Sequence, residues 1–212
     1  MKYLFQDAEE LPLLAILRGV RREEVSPISD ILLRVGLPAV EVTLNTPSAE
    51  RRIEEFKARL QGKMSVGAGT VLDLAGLHSA LRAGAEFIVS PVCLLDVAAE
   101  CQRLKVPYFP GALTPQEVWQ AWSCGAEMVK IFPAGSMGPS YFKELKGPFD
   151  QIKLMAVGGV NADNVSDYLR CGADALACGA SVFRRNWLEA EQYDLLLSEL
   201  QKLAKAITSF NR

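Results

Sequence analysis

Short apolar runs alternate with amphipathic stretches along the whole chain, and this alternation narrows the folds open to it. The tripeptide Gly-Ala-Glu or Gly-Ala-Asp recurs at residues 84–86, 125–127 and 172–174, each time just before an apolar run. A glycine that stops a helical pattern and leads at once into a strand-like run marks a helix C-terminus with a very short turn. Strand-like runs at residues 13–17, 39–44, 64–70, 87–91, 106–111, 127–133, 152–157 and 175–179 give eight strand–helix units. Their spacing of roughly 20 to 26 residues is the pattern of a (β/α)8 barrel. Parallel strands covered on both faces read as near-continuous apolar runs, as these do. An open doubly wound sheet predicts the same alternation, with fewer strands and a Gly-x-Gly-x-x-Gly turn after the first. The turn at Gly19 lacks that fingerprint, and the glycines cluster late, at Gly158, Gly159 and Gly179. That is where phosphate-binding barrels keep their anion site. The expectation is an α/β TIM barrel, residues 1–212 forming a single domain, closed by an amphipathic helix over 193–210.

Composition excludes several classes of partner. Half of the residues are hydrophobic (50%), the net charge is −2 and no basic tract occurs, so nucleic acid is not expected. No apolar run approaches the length that spans a bilayer, so no membrane partner is expected. Residues 1–10 turn acidic at Glu9 and Glu10 and lack a signal-peptide core. The five cysteines (Cys93, Cys101, Cys124, Cys171 and Cys178) show no Cys-x-x-Cys spacing, which predicts reduced thiols in the cytoplasm. One histidine, His78, falls on a predicted helix. It leaves little for a histidine triad or a multi-histidine metal site, so neither metal nor cofactor is expected. Trp119, Trp122 and Trp187 are read as packing or interface residues.

Residues at the C-terminal ends of barrel strands face one mouth. Lys130 stands inside the apolar run 127–133, where an ammonium is costly unless paired or neutralised. The other strand ends bring Arg18, Glu41, Asn45, Thr70, Pro91, Phe132, Gly158, Gly159 and Ser181. A lysine desolvated in an apolar chamber, or placed near another cation, is more often neutral and nucleophilic. It can form a Schiff base with a ketone, and the protonated imine then serves as an electron sink. Glu41 suits proton transfer, and Arg18 suits a bidentate grip on a carboxylate. The bland readings stand beside these: Lys130 as an edge-strand lysine, Glu41 and Lys130 as a structural ion pair, Arg18 as a mouth salt bridge, and the glycines as turns. A helix starting after Ser181 would add its N-terminal dipole to an anion site.

The motifs at residues 15–19 (AILRG), 40–45 (VEVTLN), 67–71 (GAGTV), 90–91 (SP), 110–111 (PG), 129–133 (VKIFP) and 157–160 (VGGV) together resemble the aldolases of 2-keto-3-deoxy-6-phosphogluconate, 2-keto-3-deoxy-6-phosphogalactonate and 4-hydroxy-2-oxoglutarate. The resemblance runs from about Leu11 to Phe183. It implies a metal-free class I aldolase acting on a small keto-acid phosphate, cytoplasmic and homotrimeric. Lys130 matches the Schiff-base lysine and Glu41 the general acid/base. Phe132 matches a pocket wall, and Thr70 and Pro91 match residues beside the pyruvyl moiety. Gly158, Gly159 and Ser181 match the phosphate site. The phosphogluconate branch usually carries arginine where Asn45 stands and threonine where Val157 stands. The phosphogalactonate branch looks more like this chain, and there Arg18 replaces the missing arginine as carboxylate clamp. Two other function classes remain open on the residues alone. One is a phosphate-barrel isomerase or epimerase with Glu41 as the proton-transfer base; the other is a non-catalytic sugar-phosphate binder.

Overall fold

The computed structural model describes residues 11–210. The acidic segment 1–10, read above for the absence of a signal peptide, lies outside the described residues. Nine short strands are present among the described residues: β1 (Leu13–Leu17), β2 (Ala39–Thr43), β3 (Ser65–Gly69), β4 (Ile88–Val89), β5 (Tyr108–Phe109), β6 (Gly111–Ala112), β7 (Val129–Ile131), β8 (Leu154–Val157) and β9 (Ala175–Cys178). The helices among the described residues are α1 (Arg22–Val35), α2 (Ala49–Leu60), α3 (Leu74–Arg82), α4 (Leu95–Leu104), α5 (Pro115–Ser123), α6 (Ala134–Met137), α7 (Ser140–Lys146), α8 (Val165–Arg170), α9 (Arg185–Glu189) and α10 (Tyr193–Phe210).

The strands form one sheet in the order β5-β4-β3-β2-β1-β9-β8-β7-β6, and every ladder in it is parallel. Its two ends, β5 and β6, are separated in sequence only by Pro110. They are one fifth strand, interrupted because proline has no N–H to give to a ladder. The Pro110 carbonyl still accepts from Lys130 N at 2.9 Å, which carries the sheet round into a barrel. The eight units expected from the sequence are therefore present, with strands shorter than the apolar runs that announced them.

The recurring tripeptide has a mechanical explanation. Gly84, Gly125 and Gly172 have φ of 94°, 77° and 99°, the left-handed backbone that glycine adopts without a Cβ penalty. The alanines that follow (Ala85, Ala126 and Ala173) are buried. The acidic residues enter the sheet directly: Glu86 N and Asp174 N donate to Val66 O and Leu154 O, both at 2.8 Å. Their carboxylates then accept from Val66 N and Leu154 N, again at 2.8 Å. Each acid thereby pins the start of its own strand to that of the preceding one. Asp73 caps α3 as expected, accepting from Gly76 N at 2.7 Å.

Two apolar layers result. The larger lies between strands and helices and includes Leu196, Leu200, Leu203 and Ile207 of α10. The smaller fills the barrel interior, with Phe87, Phe109, Met128 and Met155 among its members. The Phe87 and Phe109 rings meet edge to face, centroids 5.8 Å apart, and form part of the floor on which the mouth is built. Gly67 makes room for that floor, since a Cβ there would fall 2.3 Å from Phe87 Cε2. Gly67→Ala is therefore expected to lower stability by about 1 to 3 kcal/mol through overpacking, measured as a shift in the urea unfolding midpoint; an unchanged midpoint would show that Phe87 is free to move aside.

Candidate active site

Above that floor lies a cavity of about 370 Å³ lined by Ile16, Arg18, Glu41, Thr70, Pro91, Lys130, Phe132, Val157, Gly158, Gly159, Gly179, Ala180, Ser181, Phe183, Arg185 and Leu188. Nine of the ten residues picked from the strand ends converge here. Lys130 stands in register with Gly111 of β6 and Met155 of β8. Glu41 stands in register with Ile16 of β1 and Gly67 of β3. Both are buried, at 7% and 1% exposure.

Asn45 is the exception. It is exposed on the β2–α2 connection and does not line the cavity. The turn there is tight, with Thr46 N donating to Thr43 O at 2.9 Å. It is Thr46, not Asn45, that faces inward, its Oγ1 3.2 Å from Thr43 Oγ1 and accepting from Gly19 N at 2.9 Å.

The ion pair between Glu41 and Lys130, the alternative reading of these two residues, is not closed. Glu41 Oε2 is buried without a hydrogen-bond partner. Burial pushes its carboxyl up to about 7, against the opposing pull of Lys130 and Arg18. Burial also lowers the Lys130 ammonium below the usual lysine range, with Arg18 adding to the shift and Glu41 opposing it. Its Nζ sits 5.2 Å from the centroid of the Phe132 ring, a cation–π distance. Space for the carboxylate comes from Gly69, where a Cβ would fall 2.2 Å from Glu41 Oε1. The next residue, Thr70, holds φ of 56°, uncommon for a β-branched side chain. Its neighbours hold that backbone, through Leu44 N to Gly69 O (2.8 Å) and Val71 N to Val89 O (3.2 Å).

The far end of the cavity is a pair of turns. Gly158 and Gly159 have φ of 96° and 78°, and Gly135 N donates to Gly158 O at 2.8 Å. Ser181 Oγ donates to Val160 O at 2.7 Å, which ties the 179–181 turn to the 158–160 turn. The helix expected directly after Ser181 does not start there. Residues 180–182 form a turn, closed by Val182 N and Phe183 N on Gly179 O, and the five-residue α9 begins only at Arg185. Any anion at this end would therefore meet turn N–H groups and not a helix dipole. Arg185, Phe183 and Leu188 also line the cavity and were not legible in the sequence; α9 lies beyond the strand ends on which the reading relied.

Residues 6–198 match the aldolase family described as KDPG and KHG aldolase. The chain belongs to that family and is an aldolase of the lyase class. The 2-dehydro-3-deoxy-6-phosphogalactonate aldolase of Escherichia coli (strain K12) is 34% identical over 82% of this chain and 86% of its own. The 2-dehydro-3-deoxy-phosphogluconate aldolase of Pseudomonas aeruginosa is also 34% identical, over 89% of this chain and 87% of its own. Among solved structures, one described as native KDPGal superposes with a TM-score of 0.88 at 30% identity, covering 94% of this chain and 96% of the other. The KDPG aldolase of Legionella pneumophila, solved with pyruvate captured as a covalent carbinolamine intermediate, superposes with a TM-score of 0.84 at 25% identity over 92% and 95%.

The raised carboxyl of Glu41 has a consequence for stability. Its folded value of about 7 lies above the ordinary 4.5, so between the two the folded state binds more protons than the unfolded one. Stability contributed by the protonated form is full below about 4.5 and is lost as pH rises through about 7. Glu41→Gln removes the charge that must otherwise be buried. The variant is expected to melt above the wild type over the alkaline side of neutrality, with the gap closing as the pH falls toward 4.5. A gap independent of pH would show that Glu41 titrates as an ordinary carboxylate.

Proposed function

We propose that this chain is a class I aldolase that cleaves a 2-keto-3-deoxy-6-phospho sugar acid, of the phosphogluconate or phosphogalactonate type, to pyruvate and D-glyceraldehyde 3-phosphate. It would also act on 4-hydroxy-2-oxoglutarate, giving pyruvate and glyoxylate. The observation that carries the reading is the buried Lys130, its ammonium destabilised, sharing one cavity with a buried Glu41. A neutral amine and a carboxyl that changes charge near pH 7 are what Schiff-base chemistry requires.

In this reading Lys130 Nζ attacks the C2 carbonyl, and the Glu41 carboxyl protonates the carbinolamine hydroxyl, which leaves as water to give a protonated imine and the Glu41 carboxylate. Glu41 takes the C4 hydroxyl proton, the C3–C4 bond breaks, and its electron pair passes into the enamine as the aldehyde departs. Glu41 then returns a proton to C3. Hydrolysis of the imine releases pyruvate and the free amine and returns the remaining proton to Glu41. Arg18 grips the substrate carboxylate, and Thr70, Pro91 and Phe132 bound the pyruvyl group. N–H groups of the turns at Gly158, Gly159 and Ser181 hold the phosphate. Asn45 has no part in this arrangement, since it lies outside the cavity.

The near-equal likeness to phosphogalactonate and phosphogluconate relatives leaves the C4 epimer to assay. The isomerase alternative, with Glu41 as sole proton shuttle, makes no use of an imine and is disfavoured by family membership. The proposal extends to a homotrimer in the cytoplasm. Exposed Leu72, Val92, Leu95 and Trp119 offer apolar surface for subunit contact, and all five cysteines are unpaired thiols.

Pyruvate with borohydride tests the reading. The imine on Lys130 should be reduced to a stable secondary amine, adding one pyruvyl unit by intact mass and abolishing activity, and peptide mapping should place it on Lys130. Neither Lys130→Ala nor Lys130→Arg should form it, because arginine stays protonated. An adduct that persists in Lys130→Ala, or none in the wild type, would contradict the assignment.

A further inference from the structure

Arg185 has no role in the chemistry above, although it lines the cavity. It opens α9 directly after the turn that Ser181 ties to Val160. Its Nε and Nη1 donors are taken by protein acceptors. Nε donates to Glu189 Oε1 at 2.9 Å. Nη1 donates to Gly19 O at 3.2 Å and to Glu24 Oε2 at 3.3 Å. Nη2 lies 3.0 Å from Glu24 Oε1, an ion-pair contact outside hydrogen-bond geometry. Glu24 is itself buried, its side chain 2% exposed, and its Oε2 also accepts from Arg21 N at 2.8 Å.

One planar fork thus holds the β1–α1 turn at two points: directly at Gly19 O and, through Glu24, at Arg21 N. Thr46 holds the same turn from the other side, through Gly19 N. Arg18 immediately precedes the clamped segment, and its direction into the cavity follows from the turn. We propose that Arg185 is a positioning residue for Arg18. Through α9 it makes the 179–181 turn and the Arg18 turn one mechanical unit, so that the two ends of an elongated substrate, each anionic, are held at a fixed separation.

The proposal rests on the aldolase reading for what each end binds. A direct grip of Arg185 on phosphate is the competing arrangement. It is opposed by the two carboxylates, Glu24 and Glu189, that already neutralise the guanidinium. A lysine ammonium could restore the charge beside Glu24 but, as a point charge, could not span Gly19 O and both Glu24 oxygens.

A double-mutant cycle on pyruvate trapping tests this. The half-saturating pyruvate concentration for borohydride-trapped adduct is measured for wild type, Arg18→Ala, Arg185→Ala and the double variant. Arg18→Ala is expected to raise it about 10- to 100-fold, the loss of a charge-assisted contact. Arg185→Ala should raise it roughly 10-fold, because misplacing a positioning group costs less than deleting it. The double variant should fall within about twofold of Arg18→Ala alone, since residues acting through one contact do not add. Arg185→Lys should recover part of the loss. Because Arg185→Ala leaves Glu24 buried and unpaired, Glu24→Gln/Arg185→Ala is run beside it and should give the same coupling. Multiplicative effects in the cycle would overturn the proposal, and so would a loss confined to phosphorylated substrates in steady-state assays, which would make Arg185 a phosphate ligand. If the wild type itself forms no adduct, the aldolase reading fails and takes the inference with it. Trapping in the wild type with a multiplicative cycle sinks the inference alone.

Discussion

A carboxyl and an amine are held inside a parallel barrel without closing on each other, and the rest of the molecule is arranged around that separation. Had Glu41 and Lys130 met as a short ion pair, each would have fixed the other's charge. Instead burial dominates both: it raises Glu41 to about 7 and lowers Lys130, while their mutual attraction only opposes the shifts. A carboxyl so poised exchanges protons near neutral pH, which is what acid–base work at a carbonyl centre needs. The cost is an unpartnered Glu41 Oε2 in the interior, a destabilising feature of the kind that active sites retain for function.

The scaffold keeps that separation by several independent means. Gly69 leaves the volume into which the Glu41 carboxylate fits, and Gly67 lets Phe87 fill the barrel beneath. Pro110 interrupts the fifth strand yet still accepts from Lys130 N, which fixes the height of the lysine on β7. In two of the three Gly-Ala-acid turns the acid, Glu86 or Asp174, ties its own strand to the preceding one. These bonds set the register that brings strand ends to a common mouth, and register is what converts a list of strand-terminal residues into a cavity.

That dependence explains what could be read from the sequence. Alternation of apolar runs and amphipathic helices announces the barrel, and a lysine in an apolar run announces the site, because both are properties of local pattern. The last helix was legible to its ends, Tyr193 and Phe210, because its stripe of leucines is long and regular. Asn45 lies outside the cavity because the side chain that turns inward after a strand depends on turn geometry; here Thr46 takes the inward place through bonds to Thr43 and Gly19. The late onset of α9 went unseen because residues 180–183 carry no capping or turn signal strong enough to separate a turn from a first helical turn. Arg185 went unseen for a different reason: its partners, Gly19 and Glu24, are brought to it only by closure of the barrel.

Family membership sets the reaction class, and the physical account says why this cavity suits it; the two meet in the charge state of Glu41. The most direct measurement is a carbon-13 NMR titration of the Glu41 side-chain carboxyl, assigned by its loss in Glu41→Gln. A midpoint near 7 that falls in Phe87→Ala or Phe109→Ala, where the floor is opened to water, is the result this account predicts. A midpoint in the ordinary carboxylate range near 4.5 would contradict it, because Glu41 would then be a fixed anion and the poise of the pair would have another origin.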